Sequence, residues 1–397
     1  MDLFRPEARR DPYPAWEAAR AAGPVVHDPR TGLWIVLDHD GVKRALTDTG
    51  AFSSRASPTG GQPLEWMIFM DPPRHTQLRA IVMRAFTPRV VAGLEGRITQ
   101  LVRELLEPAL ARGTFDVAAD FAVPLPLLVI AEMIGIPLAD RPRFKRWSDV
   151  ILGLSDTIAG GGDAAARAAA AFRDATAEMR AYVGALTAER RRAPRDDLLT
   201  RLIEAEVDGV RLGDDEILGF FQLLLVAGSE TTTNLIGNAV VCFLDHPDAL
   251  ATIRATPELL PSAIEEVLRF RSPIQAMFRQ TRRDVAIAGA VVPAGRLVLA
   301  AIGAANRDPA HFPEPARFDV ARDPNPHVSF GHGIHFCLGA ALARLEARIA
   351  LGEFLARVRA FEPVDEPAWE PRQAFHVHGP TRLRLRIEPS DQPKTGS

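Results

Sequence analysis

A cysteine in a glycine-rich segment is the residue of this chain best suited to bind a metal. Cys337 follows the mostly apolar residues 330–336 and stands just before a strongly helical run. Backbone N–H groups and the dipole at a helix start favour an anion, so we expect a stabilised thiolate that can act as a metal ligand. Gly331, Gly333 and Gly339 would let the backbone approach a flat cofactor closely.

Taken alone, this segment allows two other interpretations. An isolated cysteine is most often a small buried side chain, and Cys242, within an apolar helical run, is predicted to be one. His327, His332 and His335 together with Cys337 would also supply four ligands of the kind that bind zinc. Motifs elsewhere in the chain have to distinguish these possibilities.

A second motif lies in the middle of the apolar helical run 214–244, where Ala227, Gly228, Glu230 and Thr231 are found. Glycine removes a side chain, and a threonine hydroxyl that bonds to a backbone carbonyl can open a helix locally. Glu230 could belong to a polar patch on the helix surface. Because the helix is apolar nearly all round, an unpaired carboxylate would be costly, and we expect Glu230 to have a partner and not to lie in a solvated patch.

The spacing of Phe330, Gly333, Cys337 and Gly339 resembles the haem-binding signature of the cytochrome P-450 superfamily, and the resemblance covers nearly the whole chain. It implies a soluble, bacterial-type haem-thiolate monooxygenase in which Cys337 ligates the iron of haem b (iron protoporphyrin IX). The fold implied is mainly α with small β-sheets, the triangular prism of that superfamily, with haem between a distal helix and the cysteine loop.

The same resemblance assigns roles around the haem. Glu230 and Thr231 would form the catalytic pair that relays protons to the distal side. The other residues expected to contact the haem, from the distal helix and the cysteine loop, are Ala227, Gly228, Phe330, Gly331 and Gly339.

Haem carries two propionates, so its site should contain converging cations and hydrogen-bond donors. His75 and Arg79, four apart on one helical face, resemble the propionate-binding pair of the superfamily. Arg279 and His335 match the positions contributed by a later strand and by the cysteine loop. We therefore expect these four side chains to meet.

A structural cluster is also implied by the resemblance. Glu266 and Arg269 are three apart on one helical face, a pattern that elsewhere in this chain is an ordinary surface pair. The superfamily completes a buried Glu-Arg-Arg cluster with a downstream arginine, and Arg317 occupies that position. The prediction is a buried triad of Glu266, Arg269 and Arg317 that supports the cysteine loop.

Helical periodicity dominates the chain, and short β-rich runs are few. Helices are predicted over residues 90–112, 164–192, 214–244, 259–270 and 338–358, and strands over residues 33–37, 285–292, 297–301 and 383–387. No linker or repeat divides the chain, which predicts one domain over residues 1–388 and a disordered tail over residues 389–397.

Composition excludes several classes of function. The 397 residues carry a formal net charge of −3 with dispersed basic residues, which argues against nucleic-acid binding. Two cysteines cannot form a disulfide framework, and the N-terminus lacks a signal peptide, so we expect a cytoplasmic protein. The apolar stretches 121–139 and 219–244 contain prolines or charged and polar residues, which favours buried helices over membrane spans. The expected state is a monomer.

The resemblance also implies partners and a substrate site. No flavin or iron–sulfur module is present in the sequence, so electrons should come from ferredoxin and ferredoxin reductase, or flavodoxin, docking near Arg344 on the cysteine side. Apolar walls suit a medium-sized lipophilic substrate that reacts with O2: a terpenoid, steroid, fatty acid or macrolide-like compound. The expected pocket residues are Trp66, Phe69, Leu223, Val226, Ile274, Met277, Phe278 and His376.

Two other functions stay open at this point. One is a peroxygenase that uses hydrogen peroxide and needs no electron donor, which the Glu230 and Thr231 pair argues against. The other is a non-catalytic haem sensor, for which the sequence offers no output module.

Overall fold

Residues 6–55, 64, 66–156 and 162–390 are described by the computed structural model, and helices dominate them. The α-helices of these residues are α1 (Pro6–Arg10), α2 (Tyr13–Ala21), α3 (His39–Thr47), α4 (Arg74–Ala85), α5 (Pro88–Ala92), α6 (Glu95–Arg112), α7 (Pro124–Ile134), α8 (Arg141–Asp156), α9 (Gly162–Arg192), α10 (Leu198–Glu204), α11 (Asp214–Ala227), α12 (Glu230–Asp245), α13 (Pro247–Ala255), α14 (Leu260–Phe270), α15 (Ile302–Ala305) and α16 (Ala340–Arg357). Single 3-10 turns are found at Met67–Phe69, Leu138–Asp140, Pro257–Leu259 and Gly333–His335, and a π-helical turn at Val117–Ala122.

The strands of the described residues are short. They are β1 (Val25–Asp28), β2 (Leu33–Val36), β3 (Phe52–Ser53), β4 (Thr114–Asp116), β5 (Glu206–Val207), β6 (Val210–Arg211), β7 (Met277–Thr281), β8 (Val285–Ile287), β9 (Ala290–Val292), β10 (Leu297–Ala300), β11 (Val358–Pro363), β12 (Glu370–Pro371), β13 (Pro380–Arg382) and β14 (Arg384–Pro389). The largest sheet has the order β1-β2-β10-β7-β3, and a three-stranded sheet has the order β11-β14-β4. Three two-stranded ribbons complete the set described.

The large sheet holds three of the predicted site residues, Met277, Phe278 and Arg279, all on β7. β10 pairs in parallel with β2 and antiparallel with β7, so that Val298 lies opposite Arg279 and Ala300 opposite Met277. β-Branched and apolar side chains give these strands a buried face, on which Val298 is completely inaccessible. Arg279 and Met277 thus lie on a strand that is paired with β10 along its length.

The main hydrophobic core lies among α6, α7, α11, α12, α14 and α16. α12 is apolar on nearly every side, and its Leu235, Ile236, Ala239 and Val240 are buried. α16 packs against α6, α12 and α14, which fixes the segment that precedes it. Burial on all sides explains how so apolar a helix exists in the middle of the chain.

The predicted mainly α fold with small sheets is confirmed, and most differences concern element boundaries. The run 214–244 forms two helices, interrupted at Gly228 and Ser229. The run 285–292 is a hairpin of β8 and β9 that turns at Ala288 and Gly289, where φ is 45° and 81°. β14 ends at Pro389, the first residue of the predicted tail, and residues 391–397 lie outside the described part.

Within the described part of the chain, one helical segment, Val117–Ile134, is long and apolar enough to cross a membrane by length and composition. It overlaps the apolar stretch 121–139. The fold buries 67% of this segment, which includes the π-helical turn and α7. That burial is typical of a core helix, as the sequence predicts.

Candidate functional site

The cysteine loop is a tight backbone structure with steric needs of its own. The Cys337 N–H donates to the Phe330 carbonyl over 2.9 Å, which closes the loop. Gly331 and Gly333 both have φ of 71°, in the left-handed region that favours glycine. A Cβ at Gly333 would lie 2.7 Å from Thr47 Cγ2, so α3 also requires a glycine there.

The structure corrects the expected protonation of Cys337. α16 begins only at Ala340, three residues further on, and burial raises the pKa of the thiol. The Gly339 N–H and the nearby Arg79 and Arg344 charges act in the opposite direction but more weakly. Desolvation therefore outweighs the helix terminus in the polypeptide alone, and a bound metal would have to complete the deprotonation.

The zinc alternative is not supported by the geometry. His327 bonds to the Glu265 carboxylate over 2.9 Å, and the His335 ring nitrogen Nε2 lies 2.9 Å from Ser54 Oγ. Among the described residues, no group of three or more potential metal-ligating side chains includes Cys337. The cysteine and the histidines of its loop therefore face different partners.

The break between α11 and α12 opens the distal helix. The Thr231 hydroxyl donates to the Ala227 carbonyl over 2.7 Å, and the Ser229 hydroxyl donates to the Leu225 carbonyl. Side-chain hydroxyls thus bond to main-chain carbonyls at the interruption, as the sequence suggested. Ala227 is exposed and Thr231 partly exposed on otherwise buried helices. Four residues apart, they form one accessible face that a flat ligand can contact.

Packing requires a glycine at position 228, for a reason that the sequence did not predict. A Cβ at this position would lie 2.5 Å from Ile130 Cδ1 and 2.8 Å from the Leu224 carbonyl oxygen. The glycine is therefore required where the end of α11 approaches α7. Its contact with haem stays a prediction.

Glu230 is buried and lies beside a cation from the C-terminal part of the chain. An Arg372 Nη1 atom is 3.6 Å from Glu230 Oε1, and the side chains are 12% and 5% exposed. Arg372 also donates from Nε to Asn234 Oδ1 over 3.0 Å. Burial together with this ion pair excludes the alternative of a solvated surface patch.

Sequence reasoning missed this C-terminal contact. Asn234 and Asn238 are fully buried polar residues four apart on α12, and Asn238 Nδ2 donates to the His378 carbonyl over 2.9 Å. A Cβ at Gly379 would lie 2.4 Å from Asn234 Oδ1. Two asparagines on one face of an apolar helix were a usable signal for a backbone partner. Arg372 itself carries no local pattern that would have identified it.

The four residues predicted to hold the propionates do converge. The rings of His75 and His335 are 4.2 Å apart, and both are within electrostatic reach of Arg79. Burial, followed by the neighbouring positive charge, lowers the pKa of His75 to about 4 and that of His335 to about 3. Arg279 adds a further positive charge beside His335.

The hydrogen-bonding capacity of these four side chains is poorly satisfied by the polypeptide. Neither ring nitrogen of the buried His75 has a hydrogen-bond partner. Arg279 is 3% exposed, donates to the carbonyl of the adjacent Phe278, and has a pKa lowered by burial to about 10. Arg79 donates to the Phe336 carbonyl over 2.6 Å, beside the cysteine. Orphaned nitrogens and a desolvated guanidinium next to the cysteine loop fit the two carboxylates of haem.

The Glu-Arg-Arg cluster exists with a different second arginine. Glu266 and Arg269 are fully buried, with paired contacts of 2.7 and 2.8 Å. Arg322 Nε lies 3.2 and 3.3 Å from the two Glu266 oxygens, and its side chain is 9% exposed. Arg317 is 60% exposed and pairs with Glu314.

The prediction that the Arg317 side chain completes the triad was therefore wrong. Arg317 contributes its backbone carbonyl, which accepts a 2.9 Å hydrogen bond from Arg269. The chain turns back after that residue, so that Arg322, five positions later, points its guanidinium at Glu266. The order of motifs gave the right segment, whereas the choice of side chain depends on the path of the loop.

A second ion cluster lies on the outer side of the cysteine loop. Arg344 makes two contacts of 2.7 and 2.8 Å with Glu265 and lies 4.4 Å above the Phe330 ring. These contacts, with a bond from His327, lower the Glu265 pKa to about 2 although burial acts to raise it. Arg344 is thus a compensated charge that covers an aromatic residue of the loop.

The predicted pocket residues fall into two groups. In the first, the Trp66 indole N–H donates to Gln222 of α11 over 3.0 Å, and the Trp66 ring stacks on Phe69 at 6.1 Å. In the second, Ile274 forms a β-bridge with Val377, and Phe278 makes an edge contact with Phe375. Val226 and Leu223 lie on the adjoining α11. Two of the predicted pocket residues, Trp66 and Leu223, are buried. The others are partly exposed: Phe69, Val226, Ile274, Met277, Phe278 and His376.

Comparison with known proteins places this geometry in context. The family described as Cytochrome P450 matches residues 24–378. The Vitamin D(3) 25-hydroxylase of Pseudonocardia autotrophica is 39% identical over 403 aligned positions, covering 98% of this chain and 96% of the relative.

Solved structures agree along the chain. Cytochrome P450 CYP109Q5 from Chondromyces apiculatus has a TM-score of 0.89 at 40% identity, covering 99% of both chains. CYP109E1 from Bacillus megaterium, solved in complex with testosterone, has a TM-score of 0.87 at 37% identity, covering 95% of this chain and 99% of that one. Both alignments cover nearly the whole length of this chain.

Proposed function

The chain belongs to the cytochrome P450 family, and we propose that this haem-thiolate monooxygenase inserts one oxygen atom from O2 into a medium-sized lipophilic substrate of the steroid or secosteroid type. The observation that carries the proposal is a set of partly exposed apolar side chains on α11, on β7 and at the Ile274 bridge, in a chain whose distal helix is opened at Thr231. Two relatives support the steroid class, since one is named for vitamin D3 and another was solved with testosterone.

The residues of the site fit haem b, held by Cys337 through its thiolate. His75, Arg79, Arg279 and His335 would bind the propionates, because these groups converge and lack sufficient anionic partners in the polypeptide. When bound, haem supplies oxygen binding and the oxidation chemistry.

Glu230 and Thr231 would manage protons on the distal side. The Thr231 hydroxyl donates its own hydrogen to Ala227, which leaves the oxygen Oγ1 able to accept a hydrogen bond and so to hold a water. Glu230, held by Arg372 in the buried helix, would take up a proton from solvent when its carboxylate moves away from the guanidinium, and would release that proton to the water held by Thr231. This arrangement favours O2-driven chemistry over a peroxygenase or a haem sensor.

Electrons would come from a ferredoxin with its reductase, or from a flavodoxin. Arg344 is neutralised by Glu265, so the docking charge would be shared among other basic side chains on the cysteine side. We propose a cytoplasmic monomer, consistent with burial of its most apolar helix.

The test is turnover of testosterone and vitamin D3 by the haem-loaded protein. We expect a substrate-induced shift of the Soret band and a product that carries one isotopically labelled atom from labelled O2. Activity should require a ferredoxin, its reductase and a reduced nicotinamide cofactor. Turnover with hydrogen peroxide alone at equal rate would favour the peroxygenase, and substrate binding without any product would favour the sensor. A response to fatty acids but not to steroids would overturn the substrate class.

A further inference from the structure

Three potential metal ligands, none of them among the residues assigned to haem, meet at the start of α3. His39 Nδ1 lies 3.7 Å from Asp40 Oδ1, and His311 Nε2 lies 3.4 Å from the same oxygen. The two imidazole rings are 4.2 Å apart, and all three ligand atoms lie within 4.8 Å of one another. Two imidazoles and one carboxylate are a ligand set of transition-metal sites.

The protonation of His39 leaves a lone pair directed at this group. His39 Nε2 lies 3.1 Å from the Pro326 carbonyl oxygen, which only accepts, so Nε2 carries the hydrogen. Nδ1 is then an acceptor; it is buried, has no hydrogen-bond partner, and belongs to a side chain that is 4% exposed. Asp40 presents a second acceptor at a distance too long for a hydrogen bond. Two acceptors facing each other call for a cation between them.

The ligands are also fixed in advance by the backbone. Asp308, which is 6% exposed, accepts the His39 N–H on its Oδ2 over 2.8 Å. The carbonyl of the same Asp308 accepts the His311 N–H over 3.0 Å. A metal-ligating histidine commonly donates its second ring N–H to a backbone carbonyl, as His39 does to Pro326. One buried residue thus holds the two histidine backbones at a set distance.

We propose that His39, Asp40 and His311 form a binding site for a divalent transition-metal ion of the zinc class. Ligands about 2.0–2.2 Å from a tetrahedral ion are separated by roughly 3.3–3.5 Å, close to the separations of 3.4 and 3.7 Å. Asp40 is 78% exposed, so water has access to the fourth position. With one carboxylate and Lys43 nearby, the site suits ions that bind imidazole and not Mg2+ or Ca2+.

The ion would join two segments that the fold brings together near the cysteine loop. His39 and Asp40 begin α3, whereas His311 lies in the turn that follows α15. The far end of α3 carries Thr47, against which Gly333 packs. A bound ion would therefore brace the helix on which part of the cysteine loop rests, and its expected effect is on thermal stability.

The experiment uses the full-length, haem-loaded protein, freed of metal with a chelator and dialysed against zinc chloride alone. We expect the wild type to bind one more zinc ion per chain than Asp40→Asn or His311→Gln, both of which change accessible side chains. Each substitution should weaken binding by at least about tenfold. Zinc should raise the melting temperature of the wild type and leave that of these variants unchanged.

The matched controls are Asp149→Asn and His27→Gln, an exposed aspartate and an exposed histidine outside the cluster. They should bind zinc as the wild type does. An unchanged carbon monoxide spectrum in every variant checks that the haem site is intact. Equal zinc binding by wild type and by the Asp40→Asn, His311→Gln double variant would overturn the proposal, as would binding of magnesium at the same concentration as zinc.

Discussion

The Arg372 guanidinium lies 3.6 Å from the Glu230 carboxylate, across a sequence separation of more than a hundred residues. Arg372 follows β12 and also bonds to Asn234, one turn further along α12 than Glu230. The acid expected to supply protons is therefore held by the segment that leads into the predicted substrate contacts. We therefore expect movements of that segment and of the carboxylate to be coupled.

This relationship predicts distinct effects for the two members of the pair. Glu230→Gln should lower the rate of product formation by about 100-fold, because a general acid is lost, while the substrate-induced Soret shift remains. Arg372→Gln should cause a smaller loss, divert reducing equivalents to hydrogen peroxide and enlarge the solvent isotope effect. Arg372→Lys should restore part of the yield.

The control for this pair is Arg382→Gln, an arginine of the neighbouring strand β13 that bonds to Glu370 and Asp365 at the surface. Product yield per reduced nicotinamide consumed should be unchanged in it. An Arg372→Gln variant with normal yield and a normal isotope effect would separate Arg372 from proton delivery.

The corrected ion cluster gives a second prediction. Arg322→Ala should reduce the free energy of unfolding by about 3 kcal/mol and impair haem retention, because the buried Glu266 loses a compensating charge. Arg317→Ala should leave both properties unchanged, because only its backbone carbonyl is used. Chemical denaturation followed by the Soret band and by helical signal measures both. The opposite ranking would restore Arg317 to the cluster.

A third prediction compares the two cysteines. Cys337→Ala should abolish the strongly red-shifted band in the reduced, carbon monoxide-bound difference spectrum, because the thiolate ligand is removed. Cys242→Ala should keep that band and cost about 1 kcal/mol of stability, since Cys242 is a buried core residue whose pKa burial raises to about 12. Retention of the band in Cys337→Ala would refute thiolate ligation by this residue.

A fourth prediction concerns pH and the buried Glu346 on α16. Burial raises the pKa of its carboxyl from 4.5 to about 8 in the folded protein. Below about pH 4.5 the acid is protonated in both states; as pH rises towards 8 only the unfolded state releases its proton, so stability falls. The loss should reach about 5 kcal/mol and level off above pH 8.

Glu346→Gln should remove that loss, so the variant becomes more stable relative to wild type as pH rises from about 5 to about 8. Glu353 on the same helix is the matched control. Its pKa is lowered by Arg103 and Arg357 against the effect of burial, so both states are ionised across this window. Glu353→Gln should therefore keep a constant stability difference from wild type. A constant difference for Glu346→Gln as well would contradict a buried neutral acid.

How far the sequence predicts this molecule depends on whether a feature is local. Gly331 and Gly333 could be recognised because a left-handed backbone and glycine belong together within one loop. The run that contains Glu230 and Thr231 was recognised as helix, and its interruption followed from hydroxyls that bond one turn back. Periodicity likewise predicted most long helices.

Features that depend on distant segments were missed or misassigned. The i, i+3 pattern at Glu314 and Arg317 looks like that at Glu266 and Arg269, yet only the latter is buried. The third member, Arg322, is selected by how the loop turns, which no local spacing encodes. Gly228 is required because a side chain there would collide with Ile130 on another helix, and local spacing does not encode that contact either. The protonation state of Cys337 was predicted from the start of the helix alone. Tertiary packing desolvates the thiol and raises its pKa, which the local sequence does not show.

The close packing of Gly379 and Pro380 against α12 has a consequence for laboratory evolution of this enzyme. A Cβ at Gly237 would lie 2.5 Å from Pro380, and one at Gly379 would meet Asn234. Libraries that randomise the neighbouring residues 375–377 to change selectivity can therefore vary side chains freely only if the backbone at Gly379 and Pro380 keeps its packing against α12. Grafted loops of another length would disturb this packing. Such variants would lose the coupling of electron consumption to product formation and would be discarded before their selectivity was measured.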